Sequence, residues 1–222
     1  MFDWRWDFAF EILPRFLQAM LNTLAAAGVG YGIAVVLGLV FALAQRTPSR
    51  IVTIVVRECV EFIRSTPLVL QIFFVFFVGP QFGIRLSPWV AGMIAIGLHY
   101  SAYLSEVYRG GLDSVPKGQW EACTALNLST TKTYFRVIIP QALPPSLAGM
   151  GNYLVGIFKD TPMLSVIGVA ELMQAANGIG GSHYRYLEPY TMVGIIFLAI
   201  SLPAAGLIRV FEAWMRKKLG MN

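Results

Sequence analysis

The sequence predicts an all-α integral membrane protein with about five transmembrane helices. Three observations predict it. Only 13% of the 222 residues are charged, about half the ~25% usual in a soluble domain. The chain is 56% hydrophobic, with a mean hydropathy of +0.63. The apolar residues also fall in runs near the roughly 20 that a helix needs to cross a ~30 Å hydrocarbon core.

The first fifteen residues mix Trp4, Trp6, Phe8 and Phe10 with charges, as in a segment at the membrane interface on the outer side. Acids stand where a secretory signal peptide carries bases, so no signal peptide is predicted. The first span runs from about Phe16 to Ala44, with no charge between Leu17 and Gln45. Its Gly28-x-x-x-Gly32 pattern either lets another helix approach closely or reflects how common glycine is in such helices. The second runs from about Ile54 to Val78, with Arg57, Glu58, Glu61 and Arg64 near its start. The third runs from about Pro88 to Val107. The fourth, about Ile138 to Ala170, holds Pro144, Pro145 and Pro162; at ~1.5 Å per residue it is too long for one straight crossing, so breaks or tilt are expected. The fifth runs from about Tyr190 to Trp214. Residues 16–214 read as one transmembrane domain and 215–222 as a cytoplasmic tail.

Orientation follows from Lys and Arg in the short connections. Twelve lie on one side, around Arg46–Arg64, Arg109–Arg136 and Arg209–Lys218, against Arg5, Arg15, Arg85 and Arg185 on the other. The N-terminus is therefore expected outside and the C-terminus inside. On that reading residues 108–136 are cytoplasmic, and both PQFGIRLSP and ELMQAANGIGGSHYRYLEP are external connections.

Composition and motifs also exclude. The bases flank apolar spans and form no face with interleaved aromatics, so nucleic acid is not an expected partner, whereas membrane lipid is. Cys59 and Cys123 have no metal-ligand spacing and read as small apolar fillers. His99 and His183 belong to no metal motif. No nucleotide-binding loop of the G-x-x-x-x-G-K-[ST] type occurs, so the chain is not read as an enzyme, and any ATP chemistry falls to a partner.

The cytoplasmic segment is unusual for its polarity. SVPKGQWEACTALNLS reads as a turn and then a helix, with Ser114 and Pro116 at its start. Asn127 fits a left-handed stop. Ser129 fits the cap of a second helix, TTKTYFRVIIP, interrupted by Pro140. Periodicity leaves two readings open: an element that docks into a partner's groove, or a helix lying on lipid.

EACTALNLSTTKTYFRVIIP resembles the EAA loop of bacterial ABC importer permeases. Glu121 and Ala122 match that motif, Cys123 stands where a second alanine is usual, and Asn127 replaces its glycine. Val137, Ile139 and Pro140 fill its close. EFIRSTPLVLQIFFVFFVGP, AYLSEVYRGGLDSVPKGQWEA and FKDTPMLSVIGVAELM are each similar to stretches of the polar amino-acid subfamily, so the resemblance covers nearly the whole chain. It implies the type I importer permease fold in a bacterial inner membrane. It also implies a second permease subunit, identical or not, two ATPase subunits carrying ATP and Mg, and an extracytoplasmic solute-binding protein. Lys117, Glu121, Ala122, Cys123, Asn127 and Leu128 would then couple the permease to the ATPase. The competing class is a secondary transporter driven by an ion gradient, which needs no ATPase and leaves the EAA-like helix unexplained.

Ionisable and polar residues inside the spans are the candidates for the solute path. Lys159 and Asp160 adjoin, and a zwitterionic solute carries the opposite pair of charges; the plainer reading is that they pair within the protein. Thr161, Glu171, Gln71, Asn22 and Thr23 complete the set, with interhelical hydrogen bonding as the alternative role. The expected solute is a polar amino acid or an ectoine-type compatible solute. Glu106 and Arg109 are expected to pair with each other.

Overall fold

The computed structural model describes residues 3–218. Helix α1 is Trp6–Ala44. It begins ten residues before the expected span because Phe8, Ile12 and Phe16 are buried at its start, against Leu172, Ala176 and Ile179. The second expected span is two helices, α2 (Arg50–Ser65) and α3 (Leu68–Phe73). The chain bends there by 105°. Pro67 explains the break: it supplies no N–H and forces its predecessor out of the helical region, and Thr66 is extended at φ −109°, ψ 139°. A π-helical turn, Phe74–Val78, and a 3₁₀ turn, Gly79–Phe82, lengthen α3.

Helix α4 is Pro88–Asp113, capped by the Ser87 hydroxyl. Next come α5 (Lys117–Ala125) and a short turn, α6 (Thr130–Lys132), which runs through a π-helical segment, Thr133–Ile138, into α7 (Ile139–Asp160). Pro140 therefore does not interrupt the chain. It is the second residue of α7, directly behind the π-helical segment, and the backbone stays helical through it. Beyond α7 a 3₁₀ turn, Thr161–Ile167, supplies the break expected in the long fourth span. The stretch from Glu171 onward, expected as a connection, instead forms α8 (Leu172–His183). Last is α9, Leu187–Lys218; the expected tail's residues 219–222 lie outside the described residues.

By length and composition α1 and Leu187–Met215 of α9 can each cross a membrane, as can two bent pairs, α2 with α3 and the Thr130–Ile167 stretch with α8. Apolar side chains face outward as well as inward: Leu21, Val36, Phe62 and Leu207 are exposed while Phe16, Ile72, Ile96 and Ile157 are wholly buried. Such a surface suits lipid. At one end, Arg46 pairs with Asp113, and Arg109 donates to both Glu106 (2.9 Å) and Gln45 (3.0 Å). At the other end of α1, the Arg5 backbone N–H donates to the buried Glu188 carboxylate (3.1 Å), which also accepts from Arg185 (2.5 Å). That carboxylate holds the Arg185 guanidinium above its usual pKa.

The close contact of α1 with α4 runs through glycines other than the predicted pair. A Cβ at Gly28 or Gly32 would meet nothing within 4 Å, whereas at Gly38 it would come 2.9 Å from Leu104 Cβ and 3.0 Å from the Ser101 carbonyl. Helices α4 and α7 meet as tightly at Gly111. A Cβ there would lie 2.8 Å from the Ala142 carbonyl oxygen and collide with the Ser146 hydroxyl. Gly111→Ala is expected to destabilise the protein by about 1–3 kcal/mol, since backbone must move to admit the methyl. The check is a lower melting temperature for the purified variant.

Candidate functional site

Two arrangements stand out. The first is the corner built on α5. Val115, Ile138 and Ala142 form a small buried cluster, with Leu112, Trp120 and Val137 packed against it. Trp120 meets the Tyr134 ring edge-on, with centroids 5.5 Å apart. Cys123 is buried, so α5 turns that side inward, while Lys117, Glu121 and Ala122 are exposed. Helix α5 starts after Pro116 without a side-chain cap; the Ser114 hydroxyl, expected to cap it, donates instead to Gly111 O at the end of α4 (2.7 Å).

The helix ends as expected at Asn127, which adopts φ 50°. The Asn127 N–H donates to Thr124 O and the Leu128 N–H to Cys123 O, both at 3.0 Å. These two bonds close a Schellman motif. Asparagine serves where glycine is usual because it tolerates the left-handed region better than most residues. Leu126 and Phe135, exposed by 72% and 70%, flank the corner.

The second arrangement is a row of tyrosines. Tyr100 lies near the middle of α4, and its hydroxyl donates to Asp160 Oδ2 (2.6 Å). Tyr103 is one turn on; the Tyr100 and Tyr103 ring centroids are 6.1 Å apart, and Tyr153 of α7 lies 6.1 and 5.6 Å from them. Arg64 sits over the Tyr103 ring, its guanidinium carbon 5.6 Å from the centroid. The Tyr103 hydroxyl donates to the Arg64 carbonyl (3.3 Å).

The family described as binding-protein-dependent transport system inner membrane component matches residues 34–217, which take in both arrangements. The chain belongs to that family. It is the permease subunit of an ATP-driven, binding-protein-dependent importer, and it resides in the inner membrane. The permease is 41% identical to a probable amino-acid ABC transporter permease of Sinorhizobium fredii, with 98% of this chain and 97% of that protein covered. It is 32% identical to the glutamine transport system permease GlnP of Escherichia coli, over 95% and 97% of the two chains. A crystal structure of an amino acid ABC transporter with histidines superposes with a TM-score of 0.90 at 31% identity, covering 95% of this chain and 99% of that one. An inward-facing MetNI methionine ABC transporter shares the fold, with a TM-score of 0.72 at 18% identity.

Within the permease, the predicted path residues separate. Asp160 joins the tyrosine row. Lys159, its neighbour, is exposed and makes no ion pair among the described residues, because adjacent helical residues point about 100° apart. Thr161 is wholly buried and its hydroxyl donates to Phe158 O (2.8 Å).

Asn22, Thr23 and Glu171 converge on the start of α8. Asn22 donates to Ala170 O (2.7 Å), the Thr23 hydroxyl accepts from Leu172 N–H (3.1 Å), and Glu171 accepts from the Met173 and Gln174 N–H groups. Glu171 is a helix cap with no exposed surface. Gln71 braces the α2–α3 elbow. Its amide nitrogen donates to Ile63 O (2.8 Å) and to Thr66 Oγ1 (2.7 Å), and its oxygen faces His99 Nδ1 (3.2 Å). Polar groups in apolar helices thus answer backbone groups freed by the chain breaks, as a membrane interior requires.

Sequence reasoning missed Tyr100, Tyr103 and Tyr153. The available signal was HYSAY, which puts two phenols three residues apart on one helix face.

Proposed function

We propose that the permease imports a small polar amino acid, and that the corner built on α5 is where its ATPase docks. The observation carrying this reading is the corner itself: a polar helix with Lys117, Glu121 and Ala122 outward, held by buried Cys123 and stopped at Asn127. Asn127 and Leu128 fix its end, and exposed Leu126 and Phe135 add apolar contact surface beside it. A helix so presented fits a groove in a partner.

In the wider arrangement, the chain crosses the membrane five times with its N-terminus outside. It pairs with a second permease subunit, with ATPase subunits below that bind ATP and Mg, and with a solute-binding protein above. Asp160 and the tyrosine row receive the solute's cationic nitrogen. A carboxylate and π faces together suit an ammonium group, and an ionisable side chain inside a span is otherwise costly. The amino-acid class is supported by the named substrates of the relatives and by the small number of charges in the spans.

The test is detergent co-purification of the permease with its cognate ATPase, followed by ATP hydrolysis with and without the loaded binding protein. Association and binding-protein-stimulated hydrolysis are expected. No association would remove this reading and favour a transporter driven by an ion gradient.

A further inference from the structure

Helix α1 has two faces near its start. Arg15, Gln18 and Asn22 line a cleft beside the beginning of α8. Trp6, Phe10 and Leu13 line a groove of about 440 Å³ against Thr191, Ile195 and Ile196 of α9, and the surface inside it is apolar. At ~100° per residue the two sets fall on opposite sides of α1. Aromatic rings build one wall of the groove: Trp4 meets Trp6 edge-on with centroids 5.5 Å apart, and Phe10 lies 6.2 Å from Trp6. Trp6 and Phe10 are largely exposed.

The depth of the groove follows from α9. Its twenty residues from Pro189 to Ile208 carry no charge, and at ~1.5 Å each they span a ~30 Å core. Glu188 therefore stands at a membrane boundary. The Arg5 N–H donates to the Glu188 carboxylate (3.1 Å), which sets Arg5 at the same level. Thr191 to Ile196 lie roughly 5–12 Å further in, at the depth of acyl chains, with Trp4 and Trp6 above them where interfacial tryptophans usually sit. At the boundary two cations, Arg5 and Arg185, meet three carboxylates, Asp3, Asp7 and Glu188. The Arg5–Asp7 pair, at 2.5 Å, is exposed on both sides.

We propose that this groove is a binding site for one phospholipid with an ammonium headgroup, phosphatidylethanolamine. One acyl chain lies between α1 and α9, the phosphate meets Arg5, and the ammonium meets Asp7. Three features support that occupant. The groove opens on the side of α1 away from its polar cleft, at acyl-chain depth, and its walls offer a chain nothing but apolar contact. A guanidinium matches a phosphate, and the exposed Arg5–Asp7 pair is the kind worth least, so a headgroup inserting there displaces little. The excess carboxylate at the boundary also complements an ammonium and opposes a purely anionic headgroup. The bound lipid ties the start of α1 to the start of α9, and its binding is independent of which solute the permease carries.

The experiment uses the permease purified in mild detergent with whatever subunits accompany it. After washing, the preparation is titrated with phosphatidylethanolamine or phosphatidylglycerol of identical chains, and bound lipid is counted by mass spectrometry. The wild type is expected to hold about one phosphatidylethanolamine per permease and to bind phosphatidylglycerol more weakly. Ile195→Trp fills the groove from an exposed position and is expected to weaken binding of both lipids at least about tenfold, as for a few methylenes denied burial. Thr191→Trp serves the same purpose if that variant does not assemble. Val36→Trp, an equally bulky change at an exposed residue outside the groove, is expected to bind as the wild type does. Arg5→Gln keeps the backbone bond to Glu188 and is expected to weaken phosphatidylethanolamine roughly 2- to 5-fold, as for one exposed charge contact. Equal binding by wild type and both groove-filling variants overturns the proposal, as does a preference for phosphatidylglycerol. Loss of a subunit from the Ile195→Trp and Thr191→Trp complexes, with lipid binding unchanged, would make the groove a protein interface and overturn it likewise.

Discussion

Glu121→Lys is expected to abolish import while leaving the protein folded and inserted. Glu121 is exposed on α5 and makes no ion pair among the described residues, so its reversal costs the isolated chain within about 0.5 kcal/mol. On a docking helix the same change removes a carboxylate and sets a cation in its place. A wrong charge at an interface costs several kcal/mol, enough to lower import at least about tenfold. Uptake in whole cells, compared with the amount of permease in the membrane fraction, checks it. Normal uptake would defeat the docking role of α5.

Asp160→Asn is expected to cut import by roughly 10- to 100-fold, in line with the loss of one hydrogen bond to a charged group. The change is nearly isosteric. The Tyr100 hydroxyl, which donates to Asp160 at 2.6 Å, can donate equally well to an amide oxygen, so the end of α7 stays in place. What disappears is the negative charge in the tyrosine row. ATPase association should be unaffected, because α5 lies at the far end of α7. Uptake kinetics with the binding protein saturated, alongside co-purification with the ATPase, separate the two effects. Unchanged kinetics would reduce Asp160 to a partner of Tyr100 and nothing more.

The sequence showed the helical, membrane-embedded class plainly, because long apolar runs have few other uses. It also showed the corner, because Asn127 and the polar residues before it depart from their surroundings. Glu106 with Arg109 likewise paired as their spacing required. The elbow at Thr66 was harder to see. Hydropathy runs smoothly across it, and only Pro67 marks the place. Helix α8 was hidden by its glycines and short length; its start depends on Glu171, Asn22 and Thr23 meeting from distant parts of the chain. The polar candidates illustrate the same limit. Composition makes Gln71, Glu171 and Asp160 look alike, but what distinguishes a brace, a cap and an open carboxylate is which backbone groups lie nearby.

A lever transmits displacement only as well as its joints resist bending. The joint between α5 and the following segment is closed by the Asn127 and Leu128 N–H bonds and clamped by Trp120 against Tyr134, so it has little compliance. Just beyond it lies Thr133–Ile138, a π-helical turn, a winding that is rare and occurs mostly as single turns inside α-helices. On the proposed docking at α5, movement would pass the corner with little loss and meet its first elastic give in the six residues Thr133–Ile138, just ahead of the long helix that ends at Asp160.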